Sequence, residues 1–172
     1  MRLCLAGLCA LLATAPAAAE VKSVEAGGFE VESKTVVAAT PAETYAMLGR
    51  IGEWWNKDHT YSGDSANLRL KLKVGGCFCE RIPEGGGEIE HMRVVYTRPG
   101  VTLRLQGGLG PLQELGVAGV LTWSLKPVPG GTEIVQTYRV GGYVKGGADK
   151  LAPIVDAVMG EQLAGLQRRL AR

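Results

Sequence analysis

The sequence has little of what marks nucleic-acid-binding or membrane proteins. Its 19 lysines and arginines are spread among 17 carboxylates, so no continuous basic face is visible for nucleic acid or anionic lipid. Beyond the first residues, no apolar run reaches the roughly 20 residues of a membrane-spanning helix. At 172 residues we expect one globular domain, with no nucleic-acid partner and no transmembrane segment in the mature chain.

Motifs of catalysis and of cofactor binding are also scarce. The sequence has no G-x-S-x-G elbow and no CxxC pair, and no Gly-Lys-Ser/Thr follows the glycines of residues 107–116, which excludes a phosphate loop there. His59, Ser62 and Asp64 lie close together in the chain, but a polar turn explains them better than a catalytic triad. We therefore predict no catalytic residue, no metal and no cofactor.

The start of the chain, "MRLCLAGLCALLATAPAAAE", is typical of a secretory signal peptide. An early arginine precedes an apolar run of about a dozen residues, and small residues follow. We predict a signal peptide over residues 1–19, cleavage after Ala19, and a mature domain over residues 20–172. The mature protein would be secreted across the inner membrane into a bacterial periplasm. Cleavage would leave Cys77 and Cys79 as its only cysteines.

Apolar and polar residues alternate through much of the remaining chain, which predicts a strand-rich domain. "FEVESKTVVAA" is a first strand, and Thr40 then caps a helical segment that has Pro41 at its first position and breaks into one or two short helices. Six strands follow, with short connections that favour antiparallel pairing. The clearest of them alternates four apolar residues with charged ones: Leu68, Leu70, Leu72 and Val74.

The last segment, "ADKLAPIVDAVMGEQLAGLQRRLAR", is predicted to be an amphipathic helix, because Leu151, Val155 and Leu166 fall on one stripe. Gln162 lies in the middle of that stripe and Gly165 near its edge, which suggests an imperfectly filled interior. Alternatively, Gln162 satisfies one backbone group. The predicted fold is α+β, with a curved antiparallel sheet that grips this long C-terminal helix.

The order of elements and several short motifs resemble the START-like helix-grip (SRPBCC) superfamily. The motifs are "TPAETYAML" after the first strand, "EWW" ending at Trp55, "VGGCFCE" where the family has two glycines before an aromatic-containing strand, and "GGTEI" before the last strand. The resemblance extends from Phe29 to Leu170. It is nearest to the branch of polyketide cyclase-like proteins and of homologues of a chaperone-ATPase activator.

The resemblance implies an apolar cavity between the sheet and the terminal helix, with a hydrophobic small molecule as its ligand. Relatives have a plain turn where this chain has residues 107–116, so we interpret this segment either as a lid over the cavity mouth or as a loop that packs on its own strand. We expect the cavity to be lined by aromatic, soft and polar side chains from several elements: Trp54, Trp55, Cys77, Cys79, His91, Leu112, Trp123, Tyr138 and Gln162.

The stretch "VGGCFCE" admits three interpretations. If Ile82 pairs with Glu88 across a hairpin, Cys79 lies opposite His91 and Cys77 opposite Arg93 on one sheet face. We prefer free thiols in the pocket wall or core. A disulfide is disfavoured because residues two apart in a regular strand are about 6.6 Å apart, although a bulge would relax this distance. A metal site formed by the two cysteines and His91 is the third interpretation.

Three functions are compatible with these residues. A carrier or sensor of a hydrophobic molecule needs only the cavity, and this is the function we predict. A cyclase- or hydratase-like enzyme would use the same cavity, with His91 paired with Tyr138 or Glu80 as acid and base. A chaperone-activating module would need a cytosolic partner, which the signal peptide disfavours. The ligand, any protein partner and the oligomeric state cannot be predicted from the sequence.

Overall fold

The computed structural model describes residues 18–171, which form eight β-strands and two α-helices joined by short 3₁₀ turns. The predicted signal peptide thus falls largely outside the described residues. The helices are α1 (Pro41–Gly49) and α2 (Ala148–Leu170). The strands are β1 (Ala18–Glu25), β2 (Gly28–Val37), β3 (Leu68–Leu70), β4 (Cys77–Ile82), β5 (Gly87–Arg98), β6 (Thr102–Gly107), β7 (Ala118–Val128) and β8 (Gly131–Gly141).

All eight strands form one curved antiparallel sheet in the order β1-β2-β8-β7-β6-β5-β4-β3. Each strand pairs with the next one along the chain, except that β2 pairs with β8 and not with β3. The chain therefore leaves the sheet after β2 through α1 and the 3₁₀ turns, and it re-enters at the opposite edge. The predicted α+β class, the six strands after the helical segment and the gripped C-terminal helix are confirmed.

Thr40 starts α1 as predicted. Its side chain accepts a hydrogen bond from the Glu43 backbone, and the Glu43 carboxylate accepts one from the Thr40 backbone at 2.8 Å, so both ends of a capping box are present. Pro41 occupies the first helical position, where a missing N–H costs nothing. The helix ends at Gly49, and the chain continues through a 3₁₀ turn at Ile51–Glu53 to the tryptophan pair.

The strand predicted for "NLRLKLKVGG" is shorter than expected. Only residues 68–70 pair with β4, and Val74 is 65% exposed. After Leu70 the chain folds back on itself, since the Gly76 N–H donates to the Lys73 carbonyl at 2.7 Å. A side chain at Gly76 would collide with the Lys71 carbonyl oxygen. Alternation alone did not reveal that the strand ends at Leu70, before its apolar pattern stops at Val74.

Strand β1 was not predicted. It pairs with β2 from Ala18↔Lys34 to Glu25↔Gly28, with a bulge between Val21 and Ser23. The predicted cleavage site after Ala19 lies inside this strand. Cleavage there would remove only the Ala18 and Ala19 pairs, and the rest of β1 would remain on the sheet edge.

Helix α2 packs against β1 and β2 at one end of the sheet. Gly165 fits against the Trp54 carbonyl so closely that a Cβ there would collide with the oxygen. The sequence interpretation of an imperfectly filled interior at Gly165 is therefore wrong, because the backbone of another segment occupies the space. None of the helices in residues 18–171 is long and apolar enough to span a bilayer.

Candidate functional site

A cavity of about 480 Å³ lies between the sheet and the N-terminal half of α2. This volume is within the range of small-molecule sites, roughly 300–1,000 Å³. Its walls come from the 3₁₀-turn segment after α1, from β4, β5 and β8, from the loop before β7, and from α2. The lining residues are Trp55, Asp58, His59, Thr60, Tyr61, Phe78, His91, Leu109, Gly110, Pro111, Leu112, Leu115, Tyr138, Leu151, Ile154, Val155, Val158 and Met159.

One half of the cavity is aliphatic. Helix α2 contributes one face there, which includes the buried Val155 and Met159 and the exposed Ile154. The segment at residues 107–116 contributes the opposite wall, with Leu112 buried at its 3₁₀ turn. No polar side chain of these two walls faces the cavity among the described lining residues, so this half favours hydrocarbon.

The other half is aromatic. The rings of Trp55 and Phe78 meet edge to face at 5.3 Å between centroids, and the Phe78 ring is 5.1 Å from the imidazole of His91. The Tyr61 ring stacks on that imidazole at 6.0 Å. Such offset and tilted pairs are the favoured geometry for aromatic rings. An apolar ring in the ligand would find matching surfaces at this end.

A buried hydrogen-bonded couple, Glu80 and His91, lies at the aromatic end. Nε2 of His91 is 3.0 Å from a carboxylate oxygen of Glu80, and both side chains are almost fully buried. The other carboxylate oxygen accepts a hydrogen bond from the Ser62 backbone N–H at 2.5 Å. The polar loop after α1 therefore holds Glu80, and Glu80 orients the imidazole.

The local environment sets the charges of this couple. Burial raises the pKa of Glu80, but the hydrogen bonds from Ser62, from the Tyr61 backbone and from His91 outweigh it, so the pKa lies below the usual 4.5. Burial lowers the pKa of His91 below the usual 6.5, and the bond to Glu80 offsets only part of that shift. At neutral pH the couple is a carboxylate beside a neutral imidazole.

Tyr138 fastens the segment at residues 107–116 to the sheet. Its hydroxyl accepts a hydrogen bond from the Leu109 N–H at 3.2 Å and lies 3.4 Å from the Gly107 carbonyl, to which it donates. Burial raises the pKa of Tyr138 to about 12, so the phenol stays neutral. The side-chain amide of Gln113 also donates to the Glu90 carbonyl, so the segment is held at two points.

The segment after α1 is tied to α2 in the same way. The Asn56 N–H donates to the side-chain oxygen of Gln162 at 2.8 Å, and Nε2 of His59 lies 2.9 Å from a carboxylate oxygen of Glu161. The Nε1–H of Trp55 donates to the His59 carbonyl at 3.1 Å, which orients the indole beside the cavity. These contacts place residues 55–61 as a wall between the sheet and the helix.

Four of the nine residues expected at the cavity line it: Trp55, His91, Leu112 and Tyr138. Trp54 instead packs edge to face on Trp123, 6.3 Å away, and donates to the Met47 carbonyl. Trp123 donates to Gln136 in the core. Gln162 satisfies the Asn56 backbone, which is the alternative that the sequence left open. The ligand-binding role of the lining residues stays a prediction.

The two cysteines lie away from the cavity. A disulfide joins Cys77 and Cys79, whose Cα atoms are 5.4 Å apart, within the usual range of about 4.4–6.8 Å. The preferred interpretation of free thiols in the pocket wall is therefore wrong. Strand side chains alternate, so with Phe78 facing the cavity its two neighbours face the other side of the sheet.

The register of the β4–β5 hairpin differs from the predicted one. Ile82 pairs with Gly87, one residue away from the predicted Glu88, and Cys79 lies opposite Glu90. A bulge between Phe78 and Cys79 leaves His91 as an extra residue on β5. The bulge restores the predicted pairing of Cys77 with Arg93, and the Cα atoms of the two cysteines lie closer here than the regular repeat predicts.

The metal site proposed for Cys77, Cys79 and His91 does not form. Both sulfurs belong to the disulfide, and the imidazole binds Glu80 on the cavity side. In the described part of the chain one group of potential ligand atoms surrounds the disulfide, with Glu90 as its third member. Glu90 is bound to Arg93 as an ion pair, so this group has the chemistry of a surface salt bridge beside a disulfide.

Sequence reasoning missed several lining residues. Tyr61 and Thr60 belong to a segment that was interpreted as a polar loop, and Phe78 was obscured by the cysteines on either side. The strand period contained the signal for Phe78, because alternation places it on the face opposite to both cysteines. Nothing in the local pattern placed Tyr61 beside His91, since this contact depends on how the loop crosses the sheet.

Comparisons with known proteins agree with this architecture. A family model described as "polyketide cyclase / dehydrase and lipid transport" matches residues 28–171. No curated protein sequence matches the chain. Among solved structures, an uncharacterized protein from Rhizobium leguminosarum superposes with a TM-score of 0.61 and 16% identity, over 91% of this chain and 98% of its own.

Two further solved structures share the fold. CalU16 from Micromonospora echinospora has a TM-score of 0.57 and 16% identity, and the match covers 90% of this chain and 83% of that chain. The Aha1 dimer from Colwellia psychrerythraea has a TM-score of 0.53 and 18% identity, with 83% and 96% covered. The chain belongs to the polyketide cyclase / dehydrase and lipid transport family and has the START-like helix-grip fold.

Proposed function

We propose that this protein binds a hydrophobic small molecule in the cavity between the sheet and α2, and that it acts as an exported carrier or sensor. The observation that carries the proposal is the cavity itself, about 480 Å³ in volume, with an aliphatic half and an aromatic half. Each Å² of apolar ligand surface removed from water contributes about 25 cal/mol, so a ligand that fills the cavity gains several kcal/mol before its losses of freedom.

Membership of the family supports the same proposal. The family description joins lipid transport with polyketide cyclisation and dehydration, and these activities share a hydrophobic or polycyclic ligand. A carrier requires only that the cavity be apolar and accessible, which its lining provides. The family membership does not decide between transport and chemistry, so the decision depends on the polar groups of this chain.

Export is part of the proposal. It is supported by the signal-like sequence of residues 1–19 and by the disulfide, since disulfides persist in oxidising compartments such as the bacterial periplasm. A protein in that compartment would move or sense hydrophobic molecules between membranes. It would not have access to a cytosolic ATP-dependent chaperone.

A catalytic function in the same cavity is the second candidate. The couple of Glu80 and His91 favours it, because a carboxylate that orients a neutral imidazole is an arrangement used in general base catalysis. Tyr138 does not help as an acid, since its hydroxyl is already bonded to the backbone of residues 107 and 109. Turnover of a bound ligand that is lost in His91→Ala, with binding retained, would favour this function.

The binding proposal is tested by titrating the protein with Nile red, a neutral apolar fluorophore whose emission rises in an apolar site. The wild-type protein should show saturable binding, and Val158→Trp, which places an indole in the cavity, should weaken it at least about tenfold. Val95→Trp makes the same change at a 42%-exposed strand position away from the cavity and should bind as the wild type does. Equal binding by all three proteins would contradict the proposal.

A further inference from the structure

We propose that the aromatic end of the cavity selects an uncharged hydroxyl-bearing ligand, of the alkylphenol class, whose hydroxyl donates a hydrogen bond to Nδ1 of His91. This inference rests on the proposed binding function and adds the chemical class of the ligand to it. Its evidence is the hydrogen-bonding state of His91, the charges around the cavity and the division of its walls into an aromatic and an aliphatic half.

The first step is the tautomer of His91. The Glu80 carboxylate oxygen that lies 3.0 Å from Nε2 is only an acceptor, so Nε2 must carry the hydrogen. In a neutral imidazole the other nitrogen is then an acceptor. Nδ1 of His91 makes no hydrogen bond to any residue in the part of the chain that the structure describes. Glu80 itself is held by the Ser62 N–H, which keeps the carboxylate and therefore the tautomer in place.

The second step is that this acceptor needs a donor from the ligand. Burying a polar group without a partner costs about 1–3 kcal/mol, so a ligand that covers Nδ1 with hydrocarbon loses that amount relative to one that donates to it. His91 is 5% exposed and lines the cavity, so a filled cavity removes its access to solvent. A ligand hydroxyl placed beside the ring satisfies Nδ1, whereas an ether or ester oxygen does not.

The third step is the charge of the ligand. No lysine or arginine is among the described lining residues, and the ionisable lining groups are Asp58, His59, Tyr61, His91 and Tyr138. The Glu80 carboxylate is hydrogen-bonded to His91, and the negative charge of Glu114 contributes to raising the pKa of Tyr61. A carboxylate or phosphate headgroup would enter this end without a counter-ion and beside a negative charge. The site therefore disfavours fatty acids and phospholipids.

The fourth step is the shape of the ligand. The rings of Tyr61 and Phe78 lie against the imidazole, and Trp55 packs on Phe78, so a flat ligand ring beside His91 would have aromatic surfaces around it. The remaining volume is bounded by the leucines of residues 109–115 and by α2, which suit an alkyl chain. A phenol with an alkyl tail combines a neutral donor, a ring and a chain in the order that the cavity presents them.

The test uses three probes that differ only at the head: 4-octylphenol, 4-octylanisole and 4-octylbenzoate. Binding is measured by calorimetric titration of the full-length mature protein at pH 7.5, where phenols with pKa about 10 are neutral and carboxylates with pKa about 4 are ionised. We expect the phenol to bind about tenfold or more tightly than the anisole, which corresponds to one hydrogen bond, and the benzoate to bind most weakly.

Two variants test whether His91 is responsible for the preference for the phenol over the anisole. His91→Phe keeps a ring but removes the acceptor, so the phenol and the anisole should bind equally. Glu90→Gln alters a carboxylate next to His91 in the chain but on the disulfide side of the sheet, and it should keep the wild-type ranking. The ranking in the wild-type protein remains decisive even if His91→Phe does not fold.

The outcomes separate this inference from the proposed function. If the three probes bind the wild-type protein equally, or if the benzoate binds most tightly, the inference is overturned while the cavity remains a hydrophobic binding site. If none of the three binds, the proposed function fails and the inference fails with it. A phenol preference that survives in His91→Phe would also overturn the assignment to Nδ1.

Discussion

At the scale of single residues, the couple of Glu80 and His91 links stability to pH. Burial holds the pKa of His91 below 6.5 in the folded protein, so below that pH the unfolded chain takes up a proton that the folded protein excludes. The contribution of the buried neutral imidazole to the free energy of unfolding is present in full above about pH 6.5, and it is lost as the pH falls toward the pKa of His91 in the folded protein. The pKa of Glu80 is also lowered, so its contribution is lost below about pH 4.5.

We therefore predict that the free energy of unfolding falls between pH 7 and pH 5, and that His91→Phe removes most of this decline. Urea unfolding monitored by tryptophan fluorescence at several pH values measures it. His59→Gln removes the other histidine while it leaves the couple intact, and it should retain the decline. A wild-type stability that stays flat from pH 7 to pH 5 would show that the imidazole is not buried in its neutral form.

A second residue-scale prediction concerns Gln136, which joins the sheet to α2. Its side-chain oxygen accepts from Nε1 of Trp123, and its amide donates to the Met159 carbonyl, each at 2.8 Å. Gln136→Leu leaves a buried indole N–H without an acceptor and should destabilise the protein by about 1–3 kcal/mol. Gln106→Leu, at an exposed strand position, should change stability by less than about 0.5 kcal/mol. Equal denaturation midpoints for the two variants would refute the bridging role.

Which of these residues could be predicted depended on the range of their contacts. Trp55 and Tyr138 were among the expected lining residues, but the local pattern did not separate Trp55 from Trp54, because Trp55 belongs to neither a helix nor a strand. His91 was singled out beside the cysteines, and Glu80 was one of the two partners named for it. The predicted placement of His91 opposite Cys79 was wrong, because the bulge in β5 shifts the register by one residue. The pairing of Gln162 with the Asn56 backbone joins residues 106 positions apart, and no local pattern encodes such a contact.

At the scale of elements, the close approach of α2 to the tryptophan pair depends on a glycine. Gly165→Ala would normally stabilise a helix by about 0.5–1 kcal/mol. Here the added Cβ would collide with the Trp54 carbonyl oxygen, which is backbone and cannot rotate away. We predict that Gly165→Ala lowers the urea midpoint of unfolding. A raised midpoint would mean that α2 does not lie against this carbonyl.

The disulfide on β4 is a further element-scale feature. It closes a loop of only three residues, for which the loss of chain entropy corresponds to at most about 2 kcal/mol. We predict that the double variant Cys77→Ser, Cys79→Ser folds, is destabilised by no more than this amount, and binds Nile red as the wild type does, because the bridge faces away from the cavity. Loss of dye binding by a folded double variant would place the cysteines at the site.

Elements were predictable where the pattern was periodic and the breakers were clear. Strands β5 to β8 and both ends of α1 follow from alternation, turns and the Thr40 capping box. Strand β3 was predicted too long because the chain turns at residues 71–73, where the Lys73 N–H donates to the Lys71 carbonyl, before the alternation ends at Val74. Strand β1 was missed because its stability comes from pairing with β2 and covering by α2, which are contacts distant in sequence.

At the scale of the whole molecule, the order of elements was sufficient to predict the helix-grip fold. Six strands with short connections must pair in sequence, and a single amphipathic helix must cover the sheet that they form. The position of the cavity could not be predicted from the order of elements. Helix α2 packs on β1 and β2, so the space beneath its N-terminal half is what the sheet leaves open, and its volume depends on every wall at once.

Export is a prediction at the same scale. Cleavage after Ala19 should give a mature chain that begins at Glu20, lacks Cys4 and Cys9, and keeps the greater part of β1. Intact-mass measurement of the protein recovered from the periplasm checks the cleavage site and, through the mass gained on reduction and alkylation, the disulfide. A mass that includes residues 1–19, or recovery from the cytosol alone, would contradict export.

The measurement that tests the central claim most directly is native mass spectrometry of the protein, purified without denaturation from the cells that produce it, beside the same sample after denaturation. The account predicts an organic molecule bound non-covalently, lost on denaturation, and absent from Val158→Trp, whose cavity is filled. A protein that carries no organic mass, and that binds neither Nile red nor 4-octylphenol, would contradict the claim that this cavity is a site for hydrophobic small molecules.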